Sequence, residues 1–198
     1  MADRRQMAVT RAVRALALVA GLVTSACLPS VAEAASCAAA ETVQDAASAF
    51  IDAARSSSVS AFSSALSRYV NVDAMALSAL GKFRGKLPPE RRAEYVRNAQ
   101  RYMSQFLADN AGRFQGNLQL TIKSCSGNLV KSSIGGGSDI AWRVSGNRID
   151  DVQVSGIWLG LQLRQEFTNI IRQNQGYVTG LIDYLGRRGA GELPHKKN

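Results

Sequence analysis

Two adjacent carboxylates, Asp150 and Asp151, are the residues whose types and spacing come nearest to a catalytic pair. General acid–base chemistry needs titratable groups that face one substrate from different environments. The surrounding residues alternate in polarity as in a strand, where neighbouring side chains point to opposite faces. We therefore interpret the pair as solvated residues at a turn. A buried acid in a cavity, as in some small α+β isomerases, is the alternative.

Other residues that could carry catalysis or bind metals are scarce. His195, the only histidine, lies in a polar C-terminal tail, which excludes histidine triads and the usual zinc sites. Gly135-Gly136-Gly137 is not followed by Gly-Lys-Ser/Thr and separates two strand patterns, so it favours a hairpin turn over a phosphate-binding loop. We expect no catalytic residue, no metal and no cofactor, and hence no enzyme.

The N-terminal segment has the features of an export signal. Four arginines precede an uncharged stretch from Ala15 to Ala32, and Ala32-Glu33-Ala34 has the small-residue pattern of a cleavage site. We predict that residues 1–34 are a cleaved signal peptide. A retained membrane anchor, a lipid-modified Cys27 and twin-arginine export are the alternatives.

The mature part is basic. The formal net charge of +9 falls to +7 when the four arginines and two acidic residues of the first 34 residues are removed. Such an excess can face nucleic acid, anionic lipid or an acidic protein. Export disfavours nucleic acid as a partner.

Two cysteines, Cys37 and Cys125, remain after cleavage. An even pair in an oxidising compartment is compatible with one disulfide that ties the new N-terminus to a later strand. Two unpaired thiols are the alternative, because the sequence does not show whether the two Cα atoms come close enough.

The first half of the mature part has helical periodicity. Apolar residues recur at intervals of three and four, as in amphipathic helices. The clearest helix begins at Pro88-Pro89-Glu90, where proline suits the first turn and the acid suits the positive end of the helix dipole. The predicted helical segments are 43–54, 59–70, 75–80 and 88–112.

From residue 117 the apolar period changes to two, as in strands with one buried face. Four such runs with short turns predict an antiparallel meander, which two further helical segments follow. This order of elements predicts an α+β domain. The strand patterns lie at 118–122, 129–134, 140–144 and 152–154, the helical segments at 161–171 and 178–185, and a polar tail that we expect to be disordered at 188–198.

Four segments in this order, from Val70 to Met75, Ala79 to Phe83, Leu87 to Tyr95 and Asp150 to Leu159, resemble the signatures of the MlaC family. Members of that family traffic phospholipid and are associated with toluene tolerance. The resemblance covers residues 43–187. The sequence departs from the family at Phe83-Arg84, near the usual position of a tryptophan, and in its glycine turn, which replaces a longer hairpin.

The resemblance implies a domain over residues 35–187 in which helices pack on a curved, mainly antiparallel four-stranded sheet and enclose a deep apolar cavity. It implies a periplasmic carrier that shuttles phospholipid between the outer and inner membranes. The implied partners are an outer-membrane lipoprotein complex and an inner-membrane ABC transporter. A cavity-type enzyme, or a binding protein for a smaller apolar solute such as a hopanoid or an aromatic solvent, is the alternative.

The same resemblance implies that twelve apolar residues are candidates for the wall that binds the lipid. Each of them could instead belong to an ordinary hydrophobic core. Arg91, Arg92 and Arg97 are candidates for docking on anionic headgroups or acidic partners, with a solvated basic face as the alternative. The candidate wall residues are Met75, Leu80, Phe83, Tyr102, Met103, Phe106, Leu120, Trp142, Val144, Val154, Phe167 and Ile171.

Overall fold

The computed structural model describes residues 37–114, 118–135 and 137–192. The predicted signal peptide lies outside these residues, as do His195 and the rest of the chain beyond residue 192. Among the described residues, no helix combines the length and the apolar character that crossing a bilayer requires.

The helices follow the order that the apolar periodicity predicts. They are α1 (Ala38–Ser56), α2 (Val59–Tyr69), α3 (Val72–Ala79), α4 (Arg92–Asp109), α5 (Leu159–Gln173) and α6 (Val178–Gly189), with 3-10 turns at Gly81–Lys86, Pro89–Arg91 and Ala111–Phe114.

Side-chain caps explain where two of these helices begin. Ser58 Oγ accepts a hydrogen bond from the Ala61 N–H at 3.2 Å at the start of α2. Asn71 Oδ1 accepts one from the Ala74 N–H at 3.4 Å at the start of α3. Each cap satisfies a backbone donor that has no partner inside the helix.

The strands β1 (Leu120–Ser126), β2 (Leu129–Ile134), β3 (Ser138–Ser145), β4 (Arg148–Val154) and β5 (Ile157–Trp158) form one antiparallel meander in sequence order. The register shifts in the pairing of β1 with β2 and of β3 with β4. Such irregularities bend and twist a sheet. The predicted α+β class with an antiparallel sheet is therefore confirmed.

Among the described residues the sheet has five strands, one more than the four predicted. Ser155 and Gly156, with φ angles of 50° and 83°, reverse the chain after β4. The two residues of β5 then pair with Gln153 and Val154. A two-residue strand is too short to show an alternating pattern, so the sequence gives no signal for it.

Helix α4 is held between α3 and α6. The Tyr95 hydroxyl donates to the Ala76 carbonyl at 2.6 Å, and Asn98 Nδ2 donates to the Ile182 carbonyl at 3.1 Å. At Gly189 an added Cβ would lie 2.7 Å from the Cβ of Arg101, so the close contact of the two helices requires glycine there. Helix α6 ends at Gly189, so residues 188 and 189 of the expected tail are helical.

Cys37 and Cys125 form a disulfide, with their Cα atoms 6.6 Å apart. It ties the residue before α1 to β1. The two cysteines are separated by 88 residues in the sequence, and closing a loop of that length stabilises the fold by about 4–5 kcal/mol in the chain-entropy account.

Candidate functional site

An apolar cavity of about 290 Å³ lies between the helices and one face of the sheet. Its wall comes from α1, α2, α3, α4, α5 and strands β2 to β4. The lining residues are Ala47, Phe50, Ile51, Ala54, Phe62, Leu66, Val70, Met75, Tyr102, Met103, Phe106, Leu107, Leu118, Ile134, Ile140, Trp142, Ile149, Val152, Val154, Leu159, Gln162, Leu163 and Glu166.

Two helices contribute to the wall through the same spacing. Ala47, Phe50, Ile51 and Ala54 on α1 recur at intervals of three and four residues, as do the four wall residues of α4 from Tyr102 to Leu107. Residues at these intervals share one face of a helix. The amphipathic stripes visible in the sequence therefore face the cavity.

The sheet contributes cross-strand pairs. Trp142 on β3 is the register partner of Val152 on β4, and Ile140 is the partner of Val154. All four side chains line the cavity. The indole N–H of Trp142 donates to Ser132 Oγ at 2.8 Å, so the polar atom of this ring is satisfied while its apolar surface remains available.

The cavity opens to solvent at a rim of exposed apolar residues. Phe106, Val154 and Leu159 line the cavity and are 55%, 38% and 36% exposed, respectively. Ile157, the register partner of Val154, is 49% exposed beside them. This rim is the mouth of the cavity.

The structure places half of the twelve candidate wall residues on the cavity. Their side chains come from α3, α4, β3 and β4, which are distant in sequence. These residues are Met75, Tyr102, Met103, Phe106, Trp142 and Val154.

The other six candidates do not line this cavity, and their contact with lipid stays a prediction. Leu80, Val144 and Ile171 are buried in the packed core. Phe167 lies behind the wall, where its ring centre is 6.4 Å from that of Tyr95 and 6.2 Å from that of Tyr102.

Phe83 and Leu120 also lie outside the wall of this cavity. The Phe83 ring is buried and lies beneath the ammonium groups of Lys82 and Lys86, at 5.5 and 5.6 Å. Leu120 is half-buried at the start of β1 and lines an adjoining groove against α1, which shares Ala47, Ile51 and Leu118 with the cavity wall. In each case the periodicity identified an apolar position but could not distinguish core from cavity.

Sequence reasoning missed the contribution of the first two helices and much of the sheet. Phe50, Ile51 and Phe62 belong to stripes that the sequence shows clearly, yet nothing in a stripe marks it as facing empty space. The missed apolar wall residues larger than alanine are Phe50, Ile51, Phe62, Leu66, Val70, Leu107, Leu118, Ile134, Ile140, Ile149, Val152, Leu159 and Leu163.

One polar contact lies within the wall. The Tyr102 hydroxyl donates to Glu166 Oε1 at 2.5 Å. Burial raises the pKa of Tyr102 above its ordinary value, and the hydrogen bond to Glu166 adds to the effect. Tyr102 therefore remains a protonated donor at neutral pH, and the carboxylate of Glu166 is the acceptor.

Asp150 and Asp151 do not line the cavity. Asp150 accepts hydrogen bonds from Asn71 Nδ2 at 3.2 Å and from the hydroxyl of Ser145. Asp151 Oδ1 accepts the backbone N–H of Gly160 at 2.9 Å. Both carboxylates form hydrogen bonds within the protein. A cavity enzyme would need one of them to face the cavity, and neither does.

Two of the arginines expected to dock are already paired. Arg91 binds Glu94 and Asp183 at 2.8–2.9 Å, and Arg92 binds Asp73 at 2.8 Å. The hydrogen bond from Arg91 lowers the pKa of Glu94. The charges of Arg91 and Arg92 are therefore balanced within the chain.

No group of three or more histidine, cysteine or acidic residues that could hold a metal ion occurs within the described ranges. The polar contacts that line and support the cavity are those of Tyr102, Glu166 and Trp142. The arrangement as a whole suits the burial of an apolar group with its polar end at the mouth.

Comparison with known proteins agrees with this geometry. The family model described as MlaC protein matches residues 38–187. The fold is similar to that of a phospholipid-binding protein from Ralstonia solanacearum solved in complex with a phospholipid. The TM-score is 0.63 at 19% sequence identity, over 77% of this chain and 97% of the other. Among curated proteins there is no match. Because the family model spans most of the sequence, this chain belongs to the MlaC family.

Proposed function

We propose that this protein is a carrier that holds the acyl chains of a phospholipid in its apolar cavity and moves the lipid across the periplasm. The observation that carries the proposal is the cavity itself, whose wall is almost wholly apolar and whose mouth is open. The similar fold of the phospholipid-binding protein from Ralstonia solanacearum, whose structure was solved with a phospholipid, supports the same interpretation.

The energetics of an acyl chain explain why such a carrier is needed. The transfer of an acyl chain of about fifteen methylenes out of water is favourable by roughly 12 kcal/mol of free energy, at about 0.8 kcal/mol for each CH₂. Free diffusion of a two-chain lipid across water is therefore very slow. Transfer from a bilayer into an apolar cavity changes this energy little, because the chain is out of water in both places.

Near-neutral transfer means that the carrier does not set the direction of transport. In the proposal, direction comes from the proteins on which the carrier docks. These are an inner-membrane ABC transporter complex, which can use ATP hydrolysis, and an outer-membrane lipoprotein complex.

A periplasmic location follows from the proposed export of the chain. Cleavage after Ala34 would leave Cys37 as the third residue of the mature protein. The disulfide between Cys37 and Cys125 supports this location, because such bonds persist in oxidising compartments.

The volume of the cavity limits the size of the ligand that it can hold. About 290 Å³ is at the lower end of the range for pockets that hold drug-sized ligands. Uptake of two chains therefore requires the wall to move outward. Met75 and Met103 suit such a change, because unbranched thioether side chains adapt their shape.

The same volume favours a second candidate function, the binding of a smaller apolar solute such as an aromatic solvent or part of a hopanoid. Such a ligand would fill the cavity without any movement of the wall. The nature of the bound molecule therefore distinguishes the two proposals.

Native mass spectrometry of the full chain, expressed with its signal and released gently from the periplasm, tests the function. The carrier proposal expects a diacyl phospholipid at about one molecule per protein. A protein that carries only a small solute supports the second candidate. A protein that carries no ligand, takes up no lipid from phospholipid vesicles and binds no added aromatic solvent or hopanoid contradicts both.

A further inference from the structure

The cavity wall is apolar except along one strip of α5. Gln162 and Glu166 both line the cavity, and both are exposed. They are four residues apart, so they lie on one face of the helix. Being exposed and part of the wall, they lie at the mouth with Leu159 and Phe106.

The carboxylate of Glu166 retains an unused acceptor. Oε1 receives the Tyr102 hydroxyl at 2.5 Å, which fixes the orientation of the carboxylate. Among residues 37–114, 118–135 and 137–192, no lysine or arginine forms an ion pair with Glu166, and Tyr102 is its hydrogen-bond partner. Oε2 is therefore available to a donor that arrives with the ligand.

We propose that Glu166 favours phospholipids whose headgroup ends in a primary ammonium. This inference rests on the proposed function, because it assumes acyl chains in the cavity with the headgroup at the mouth. An ammonium has three donors and a positive charge, which match the free oxygen and the negative charge of Glu166. A headgroup without a cation, such as that of phosphatidylglycerol, offers hydroxyl donors but no positive charge to balance that of Glu166.

Gln162 supplies the complementary contact for the phosphate. Its amide has two donors and no hydrogen-bond partner among the described residues. One turn of helix separates it from Glu166, so one zwitterionic headgroup can reach both side chains. Glu166 thus discriminates by headgroup, Gln162 binds the phosphate that all these lipids share, and the apolar wall accepts any chain.

The expected effect is modest because Glu166 is exposed. A charged contact in water changes an equilibrium by roughly two- to fivefold. The net positive charge of the chain also attracts anionic lipid in general. The informative quantity is therefore the change in headgroup ratio between variants of equal net charge, not the ratio for one protein.

Competition between two headgroups tests the proposal. The delipidated full-length mature protein is incubated with vesicles that contain equal amounts of phosphatidylethanolamine and phosphatidylglycerol with identical chains. The two bound lipids are then quantified by native mass spectrometry. The variants are Glu166→Gln and, as the matched control, Glu90→Gln, which removes an exposed carboxylate from the Pro89–Arg91 turn, away from the cavity.

We expect the ratio of bound phosphatidylethanolamine to phosphatidylglycerol to fall two- to fivefold in Glu166→Gln and to stay at the wild-type value in Glu90→Gln. An unchanged ratio in Glu166→Gln, or an equal fall in both variants, overturns the role of Glu166. If the wild-type protein binds lipid in either case, the proposed function stands. A wild-type protein that takes up neither lipid contradicts the proposed function itself.

Discussion

Asp151 Oδ1 accepts a hydrogen bond from the backbone N–H of Gly160 at 2.9 Å, across the turn from β4 to α5. An added Cβ at Gly160 would lie 3.0 Å from Asp151 Oδ2, so the contact depends on glycine. Arg143 completes the arrangement, 3.9 Å from the same carboxylate, with its guanidinium carbon 3.8 Å from the centre of the Trp158 ring. Asp151 thus fixes the start of the helix that carries Leu159, Gln162 and Glu166.

This relationship predicts the effect of removing the carboxylate. Asp151→Ala leaves the Gly160 N–H at the start of α5 without its acceptor. It should lower the free energy of unfolding by about 1–2 kcal/mol, the range for loss of a helix cap. Urea denaturation followed by circular dichroism measures the change. Asp151→Asn keeps an acceptor oxygen and should lose less, and equal losses in the two variants would contradict the capping role.

A charge placed at the mouth should interfere with ligand uptake without affecting the core. Phe106 is 55% exposed and lines the cavity, so Phe106→Asp should reduce bound lipid severalfold while the fold survives. The cause is the cost of placing an ionised carboxylate against an acyl chain. Lipid per protein after extraction is the measurement. Tyr177→Asp is the control, since Tyr177 is 65% exposed and lies outside the cavity.

Lipid loss in both aspartate variants would mean that charge anywhere on the surface weakens binding, which contradicts a specific role for the mouth.

Trp142→Ala tests the same cavity wall with a larger loss of apolar surface. Trp142 is buried, and its truncation costs about 3–5 kcal/mol of stability. Its lipid content should therefore be compared only after a folded fraction has been isolated.

The disulfide should contribute measurably to stability. Replacing Cys37 and Cys125 together by serine should lower the free energy of unfolding by about 2–5 kcal/mol. The change is measured by denaturation with and without a reductant. The reductant should destabilise the wild-type protein and leave the double variant unchanged, and the opposite pattern would contradict a disulfide between these residues.

Alkaline pH should destabilise the protein through its buried tyrosines. Burial raises the pKa of Tyr95 above its ordinary value. Above about pH 10, the unfolded chain releases this proton while the folded chain retains it. Stability is therefore fully present below about pH 10 and declines above it, by up to about 1.4 kcal/mol per pH unit for one proton. Tyr95→Phe should make that decline shallower in urea titrations between pH 9 and 11, and an equal slope would contradict the prediction.

The elements and their order were predictable because each carries its own periodicity. The stripe of α1 and the alternation of β3 predict helix and strand from local sequence alone. Strand β5 was missed because two residues show no period. Its existence depends on the reversal at Ser155 and Gly156.

The cavity was less predictable than the elements around it. Phe167 and Phe106 occupy comparable positions in apolar stripes, yet Phe167 is buried behind the wall while Phe106 lies at its mouth. Which apolar face meets a neighbour and which meets a void depends on packing between segments that are distant in sequence. Only half of the predicted wall is therefore placed on the cavity.

Contact between an acyl chain and Trp142 tests the central claim most directly. The chain has two tryptophans. Trp142 lines the cavity, whereas Trp158 lies against Arg143 outside it. A phospholipid brominated along its acyl chains quenches the fluorescence of an indole that it touches. The variant Trp158→Phe leaves only Trp142, and its emission should be much weaker with the brominated lipid bound than with the unbrominated lipid bound. The variant Trp142→Phe leaves only Trp158, and the brominated lipid should quench its emission little. Equal emission with the two lipids in Trp158→Phe, at demonstrated binding, would contradict a cavity filled by acyl chains.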